Sequence, residues 1–420
     1  MNAENTPDFY TGSPVDATDL KFREEFVEDL WRSLRSQHVI LTAPRRTGKT
    51  SVMDYMRHFP RGFRVIAVNV QDLKHPADVF QAILDALYDE HPDFVRDRIA
   101  ARWELLTKAV EKVGEVGFAG FKIALRHSDP DWRANWRQHG EKLLHQIRGQ
   151  DDSVLIIIDE LPDMLQSLHT DDPDLLEQFL AWWRKQRLPP TAPHPKDDRV
   201  RWLVGGSVNL KGSLSEWGFV DLVNDLDDLS LPVLTRAQIG EFVRDMLSGR
   251  AVRFEKAITG RIIERLGQPI PLFLQMAVQD LYRLWKKLPT KATPDPAPLT
   301  VDDVDAVFDG LIRSSAAQDK LQHYYTRIRQ YYPEPRRTAA YEVLRQLSLA
   351  ADGLTRRALQ QEFDRVCDDG GHELPQHDRR QQFNQLMLNL ENDFYINEIE
   401  EDRFGFASGV MQAWWRKYYA

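Results

Sequence analysis

A short segment near the N-terminus has the composition of a phosphate-binding loop. Positions 43 to 51 read APRRTGKTS, after a predicted strand and leading into a helix that begins near Lys49. A loop in this position presents consecutive backbone N–H groups to phosphate oxygens at the N-terminus of the helix. We expect the whole segment to bind ATP through Ala43, Pro44, Arg45, Arg46, Thr47, Gly48, Lys49, Thr50 and Ser51.

Three of these residues have distinct chemical roles. Gly48 lets the backbone pass close to the phosphates, and Lys49 supplies a mobile positive charge to the β- and γ-phosphates, so it is also a catalytic candidate. The hydroxyl of Thr50 is suited to bind Mg²⁺. Position 43 is alanine where the pattern usually has glycine, which restricts the backbone there. The loop therefore predicts ATP and Mg²⁺ as cofactors.

A second motif, VLIIIDE at positions 154 to 160, is an apolar strand that ends in two carboxylates. Open α/β sheets bind ligands at the carboxyl ends of their strands. Asp159 can hold Mg²⁺ through water, and Glu160 can orient and polarise the attacking water. The alternative is a core strand followed by a solvated acidic turn. The loop at 43 to 51 favours the functional interpretation.

A predicted fourth strand ends in GGSVN at positions 205 to 209. A small polar side chain beside a phosphate loop can hydrogen-bond the γ-phosphate or the water. Ser207 and Asn209 are the candidates for this role. A simple turn that ends the strand explains the same residues, and the sequence leaves both interpretations open.

The elements that position these motifs follow from the spacing of apolar residues. A helix is predicted over Phe22 to Leu34, with strands at His38 to Thr42, Arg64 to Val70, Val154 to Asp159 and Val200 to Gly205. Apolar strands that alternate with helices indicate a mostly parallel sheet covered on both faces. The expected fold class is thus an α/β P-loop NTPase core, followed by an α-helical lid and a C-terminal winged-helix domain.

The domain division follows changes of pattern along the chain. We expect a core over 1–230, a helical lid over 231–290, a linker and connecting helix over 291–337, and a winged helix over 338–420. Thr300 and Asp303 are predicted to cap the connecting helix. The last domain is predicted from helices at 339–350, 355–367 and 379–389 and short strands at 394–399 and 403–407.

Two segments are interpreted without a function. The region from Ala82 to Gln150 is mostly helical by pattern, with a small hairpin predicted at 114–125. The stretch PPTAPHPKDD from Pro189 is predicted to be an exposed loop, because its prolines remove backbone donors.

Several segments together resemble one family: APRRTGKTSVM, VLIIIDELPDML, RWLVGGSVNL, LGQPIPLFLQMAVQDL and FGFASGVMQAWWRKYY. They are similar to the archaeal-type ATPases of the STAND class, relatives of AAA+ proteins and of the Orc/Cdc6 initiators. The resemblance implies that Gly267, Gln268 and Pro269 form the lid element near the adenine, with Pro269 contacting the nucleotide. The alternative is a helix C-cap followed by a proline at a new helix. The family's N-terminal cluster for the base has an arginine that the stretch FYTG at positions 9 to 12 lacks.

Composition limits the remaining function classes. The 420 residues carry a formal net charge of −9, so the chain is not broadly basic as a nucleic-acid glove would be. The single cysteine, Cys367, cannot form an internal disulfide, and the histidines lack metal-ligand spacing. No membrane span or secretory signal is visible, which predicts a cytoplasmic protein.

Three functions are consistent with these observations. The first is an ATP-hydrolysing molecular switch that signals to a protein partner, to a second copy or to nucleic acid through its lid and winged helix. The second is a DNA-binding regulator tuned by ATP, in which the predicted helix from Thr355 to Cys367, with Arg356 and Arg357, is a basic recognition helix. The third is a scaffold that binds nucleotide without turnover. The C-terminal Trp414 and Trp415 are interpreted as core residues, and no arginine finger is assigned.

Overall fold

The computed structural model describes residues 7–95, 132–148, 152–188, 198–206, 210–288, 297–372 and 374–420. The predicted hairpin at 114–125, most of the proline-rich segment, Ser207 and Asn209 lie outside these ranges. The chain forms two compact units. The core unit comprises 16–43 and 49–231, and the C-terminal unit comprises 1–15, 44–48 and 232–420.

A five-stranded parallel sheet organises the core unit, in the order β2-β3-β4-β1-β5. Thr42 pairs with Gly206 and Asn69 pairs with Asp159, so the carboxyl ends of the strands meet at one edge. The fifth strand was not predicted, because its sequence LDDLS contains two aspartates and no apolar run. The strands are β1 His38–Thr42, β2 Phe63–Asn69, β3 Ser153–Asp159, β4 Val200–Gly206 and β5 Leu226–Ser230.

Helices cover both faces of this sheet. Along β3, Leu155 and Ile157 belong to one apolar cluster, whereas Ile156 and Ile158 belong to another, as the alternation of side chains in a strand requires. The predicted first helix begins two residues late, since Phe22 has a left-handed φ of 64°. The helices are α1 Glu24–Leu34, α2 Lys49–His58, α3 Pro76–Glu90, α4 Pro92–Phe94, α5 Trp136–Arg148, α6 Leu161–Asp171, α7 Pro173–Arg187 and α8 Leu210–Glu216.

A buried histidine joins three elements of the core unit. His38 Nδ1 accepts a hydrogen bond from the backbone N–H of Trp202 at 3.3 Å, and Nε2 lies 3.0 Å from the carbonyl oxygen of Arg187. These partners require a neutral ring with its proton on Nε2. Burial lowers the pKa of His38 to about 4. The fold therefore depends on the uncharged form of this side chain.

The C-terminal unit is mostly helical. The Asp303 carboxylate accepts a hydrogen bond from the Thr300 backbone N–H at 2.8 Å, which confirms the predicted cap of α12. No helix in the described ranges is long and apolar enough to span a bilayer. The helices are α9 Arg236–Ser248, α10 Ala257–Leu266, α11 Pro271–Lys287, α12 Val301–Leu311, α13 Ser315–Tyr331, α14 Arg336–Leu349, α15 Arg356–Asp369, α16 Gln376–Asn392 and α17 Gly409–Tyr419.

The last part of this unit has the topology of a winged helix. Three short strands, β6 Leu354–Thr355, β7 Ile396–Glu400 and β8 Arg403–Phe406, form an antiparallel sheet in the order β6-β8-β7. Along the chain, β6 lies between α14 and α15, and β7 and β8 follow α16. The predicted fold class is therefore confirmed. Strand β6 was not predicted, because two residues carry no periodic signal. Trp414 and Trp415 are buried, as interpreted. The boundaries between the four predicted domains remain a prediction.

Candidate nucleotide-binding site

The start of α2 and the end of β3 bring a lysine, a threonine and an aspartate together in the core unit. Lys49 Nζ donates to Asp159 Oδ1, and Thr50 Oγ1 donates to Asp159 Oδ2 at 2.8 Å. The Lys49 side chain is 6% exposed and that of Asp159 is 9% exposed. Each buried charge is thus neutralised by the other. Removing either side chain would leave its partner's charge without this compensation.

Glu160 lies directly after this aspartate in a constrained conformation. Its backbone is left-handed, with φ 59° and ψ 34°, at the position that precedes α6. Its N–H donates to Asp159 Oδ1 at 3.0 Å, and its Oε1 lies 3.6 Å from Lys49 Nζ. A non-glycine residue in this region costs about 1–3 kcal/mol and occurs preferentially at functional sites. The geometry holds a second carboxylate beside the lysine.

Two glycines at the end of β4 make room for the neighbouring elements. A Cβ atom on Gly205 would lie 2.3 Å from Met53 Cε and 3.2 Å from Lys49 Nζ. A Cβ on Gly206 would lie 2.2 Å from Pro162 Cγ. The sequence analysis gave neither residue a role in the site. The available signal was a pair of glycines in a buried strand, which often marks close approach of other groups.

The loop between β1 and α2 belongs to the C-terminal unit over residues 44–48. Thr47 Oγ1 donates to the Pro44 carbonyl oxygen at 2.7 Å and closes the turn. Arg46 and Gly48 have positive φ values of 66° and 98°. Left-handed residues within a turn make successive N–H groups converge, which forms a nest that binds anions. Ala43 is not among the residues with positive φ, so this position does not require glycine.

The side chains at the core unit's sheet edge fit a magnesium ion that is shared with phosphates. Mg²⁺ prefers hard oxygen ligands and is usually held by one or two carboxylates together with substrate phosphates. Thr50 Oγ1 and Asp159 Oδ2 are such donors, 2.8 Å apart. Within the described ranges, no group of three or more His, Cys, Asp or Glu side chains is arranged to hold a metal. Phosphate oxygens of a bound nucleotide are the kind of ligand that would complete such a site.

Burial raises the pKa of Asp54, which lies one turn after Thr50 on α2. The Arg57 charge lowers this pKa and the Asp159 charge raises it. Asp54 therefore lies close enough to Asp159 for the two negative charges to repel each other.

The predicted adenine element contacts the end of the chain within the C-terminal unit. Gly267, with φ 65°, ends α10, and the Gln268 N–H donates to the Ala407 carbonyl oxygen at 2.8 Å. These contacts favour the helix-cap interpretation of this segment. Pro269 is half-buried just before α11, and its contact with nucleotide remains a prediction, as do the roles of Ser207 and Asn209.

The N-terminal stretch gains an arginine from elsewhere in the same unit. The Arg250 guanidinium lies 4.4 Å above the ring of Phe9, and the Tyr10 N–H donates to Gln275 Oε1 on α11 at 2.6 Å. Arg250 was not predicted to lie here, because nothing near it in the chain connects it with the N-terminus. The segment that lacked an arginine therefore obtains one by tertiary contact.

Comparison with known proteins gives a family match over part of the chain and a fold shared with solved structures. Residues 33–191 match the family model of the AAA domain, so this part of the chain is a P-loop domain of the AAA type, as predicted. A Walker-type ATPase of Pyrococcus abyssi shares the fold, with TM-score 0.58 and 15% identity over 97% of this chain and 99% of that one. The ORC2 protein of Aeropyrum pernix, solved in ADPNP–ADP complexes, has TM-score 0.52 and 12% identity over 94% and 92%. No curated protein matches the sequence. The predicted AAA+-like architecture shared with Orc/Cdc6 ATPases is thereby confirmed.

Proposed function

We propose that this chain binds ATP with Mg²⁺, hydrolyses it, and acts as a nucleotide-dependent switch of the STAND class. The observation that carries the proposal is the convergence of Lys49, Thr50, Asp159 and Glu160 at the carboxyl edge of the core sheet. The AAA domain over 33–191 and the ADPNP–ADP complexes of the similar ORC2 protein support a nucleotide as the ligand.

Each side chain has a role in this proposal. Lys49 exchanges its Asp159 partner for the β- and γ-phosphates, which frees the Asp159 carboxylate and the Thr50 hydroxyl for the metal. Mg²⁺, when bound, neutralises charge on the phosphates. Glu160 orients and polarises the attacking water, and its left-handed backbone holds it beside the lysine. The turn at residues 44–48 cradles the phosphates with its backbone N–H groups.

The charge of the winged helix supports a protein partner. Its wing, the β7–β8 hairpin, exposes Glu398, Glu400, Glu401 and Asp402, and negative charge repels a phosphate backbone. Large apolar side chains, Leu388 on α16 and Ile399 on β7, are also exposed there. In a helix-turn-helix arrangement the second helix is the recognition helix, which here is α16.

The helix that carries Arg356 and Arg357 is therefore the first of that pair. Arg356 Nη2 donates to Asn384 Oδ1 of α16 at 3.0 Å, so this side chain joins the two helices. DNA regulation is accordingly the second candidate. Retention on DNA that weakens steeply with salt would favour it over a protein partner or self-association.

The test is phosphate release from Mg–ATP together with equilibrium nucleotide binding. We expect Lys49→Ala to lose binding and Glu160→Gln to bind ATP without turnover. Lys142→Ala and Glu177→Gln, which change exposed residues of the core unit, are the matched controls and should behave as wild type. If wild type binds ATP without hydrolysing it, the proposed ATPase activity is wrong and the chain is a nucleotide-stabilised scaffold. No binding in wild type would overturn the proposal.

A further inference from the structure

Helix α13 contacts the phosphate loop within the C-terminal unit. The Tyr324 hydroxyl donates to the Arg45 carbonyl oxygen at 3.2 Å. The preceding residue, His323, has its ring nitrogens 3.3 and 3.4 Å from Arg45 Nη1. One helix thus meets both the backbone and the side chain of the same loop residue.

The contact with the carbonyl determines where the next N–H group points. In a trans peptide the C=O of one residue and the N–H of the next point in opposite directions. Because Tyr324 holds the Arg45 carbonyl, the Arg46 N–H is directed away from α13. Arg46 also has a left-handed φ of 66°, a conformation that costs a non-glycine residue about 1–2 kcal/mol. The hydroxyl therefore stabilises the peptide orientation that an anion-binding nest requires.

Tyr324 is itself held in place by the winged helix. It is 3% exposed, and its own carbonyl oxygen accepts a hydrogen bond from the Tyr395 hydroxyl at 2.7 Å. The two rings meet edge to face, with centroids 6.0 Å apart. Burial raises the pKa of Tyr324 to about 12, so its hydroxyl keeps its proton near neutral pH. A buried, protonated and doubly held tyrosine is a rigid donor.

The surroundings of the loop are positively charged. Burial lowers the pKa of His323, and the charges of Arg45, Arg327 and Arg46 lower it further. Those guanidinium groups lie close enough to His323 to disfavour a positive charge on its ring. A polyphosphate at the loop would relieve this repulsion.

We infer that Tyr324 is a positioning residue for the phosphate loop: it fixes the Arg45–Arg46 peptide and links the loop to Tyr395 at the start of the wing. This inference rests on the proposed nucleotide binding. Because coupling between two sites is reciprocal, nucleotide at the loop should in turn stabilise the hydrogen bonds of α13.

The experiment compares Tyr324→Phe with Tyr341→Phe in the full-length protein. The Tyr341 hydroxyl on α14 donates to the carbonyl oxygen of Tyr325, the residue after Tyr324 on α13, at 3.0 Å. It does not contact the loop, so Tyr341→Phe is the matched control. Binding of Mg–ATP is measured by calorimetry, and folding by circular dichroism. We expect a threefold to tenfold weaker Kd for Tyr324→Phe, about the loss of one hydrogen bond, and an unchanged Kd for Tyr341→Phe.

The outcomes separate this inference from the function on which it rests. No ATP binding by wild type would overturn the proposed function. Wild-type binding with an unchanged Kd in Tyr324→Phe would overturn only the role of Tyr324, as would equal weakening in both variants. If Tyr324→Phe does not fold, hydrogen exchange of wild type decides: Mg–ATP should slow exchange over residues 321–328, and unchanged exchange there contradicts the inference.

Discussion

A single methyl group added at the end of β4 tests whether the position of Lys49 determines nucleotide binding. In Gly205→Ala the new Cβ would lie 3.2 Å from both Lys49 Cδ and Nζ, and 2.3 Å from Met53 Cε. Met53 is itself buried, so its methyl group cannot move into solvent. Overpacking of this kind costs about 1–3 kcal/mol of folding free energy.

The substitution should also weaken the binding of ATP. Lys49 must move away from the new methyl group, and its alignment with the phosphates changes with it. A hydrogen bond to a charged group contributes about 1.5–3 kcal/mol, and a shift of Lys49 that weakens this bond by about half should weaken ATP binding about 3- to 10-fold. The free energy of unfolding of the nucleotide-free chain should fall by about 1–3 kcal/mol.

The assay is calorimetric titration with Mg–ATP, paired with urea unfolding of the nucleotide-free protein. Gly260→Ala is the matched control, because a Cβ on Gly260 of α10 would meet no atom within 4 Å. That variant should bind ATP as wild type does and gain about 0.4–1 kcal/mol in stability. If Gly205→Ala loses stability but binds ATP normally, the place of Lys49 does not set the affinity. If neither quantity changes, the reasoning about packing at β4 is refuted.

Three further predictions follow from buried contacts. Asp159→Asn removes the carboxylate that accepts from Lys49 and leaves only Glu160, 3.6 Å from the ammonium. Urea unfolding should therefore show a loss of up to about 3 kcal/mol, and an unchanged midpoint would contradict the ion pair. Gly409→Ala places a Cβ 2.4 Å from the Arg265 carbonyl oxygen, which is backbone and cannot rotate aside. Scanning calorimetry should therefore show a loss of about 1–3 kcal/mol in folding free energy. An unchanged unfolding transition would refute this contact. His38, with its folded pKa near 4 against 6.5 when unfolded, binds fewer protons in the folded state, so stability should fall by up to about 3 kcal/mol as pH drops from 6.5 to 4. His38→Gln should lose most of that slope in urea titrations at several pH values, and an equal slope would show that other groups cause it.

Local patterns were enough to predict the main elements. The apolar runs of β1, β3 and β4 and the APRRTGKTS segment each contain their own signal, since a buried strand and a phosphate loop are built from neighbouring residues. Strands β5 and β6 escaped prediction for the converse reason. Strand β5 has two consecutive exposed aspartates and β6 has only two residues, so both depend on the partner strand rather than on their own composition.

The sequence by itself determined most of the helices, the strands β1 to β4, and the residue types available for phosphate and metal chemistry. Only the tertiary structure decided their partners. It paired Lys49 with Asp159, set Gly205 against that lysine, supplied Arg250 to Phe9, and brought Tyr324 to the Arg45 carbonyl oxygen. These pairs are far apart in the chain, and which of them form depends on how whole elements pack, which no short segment encodes.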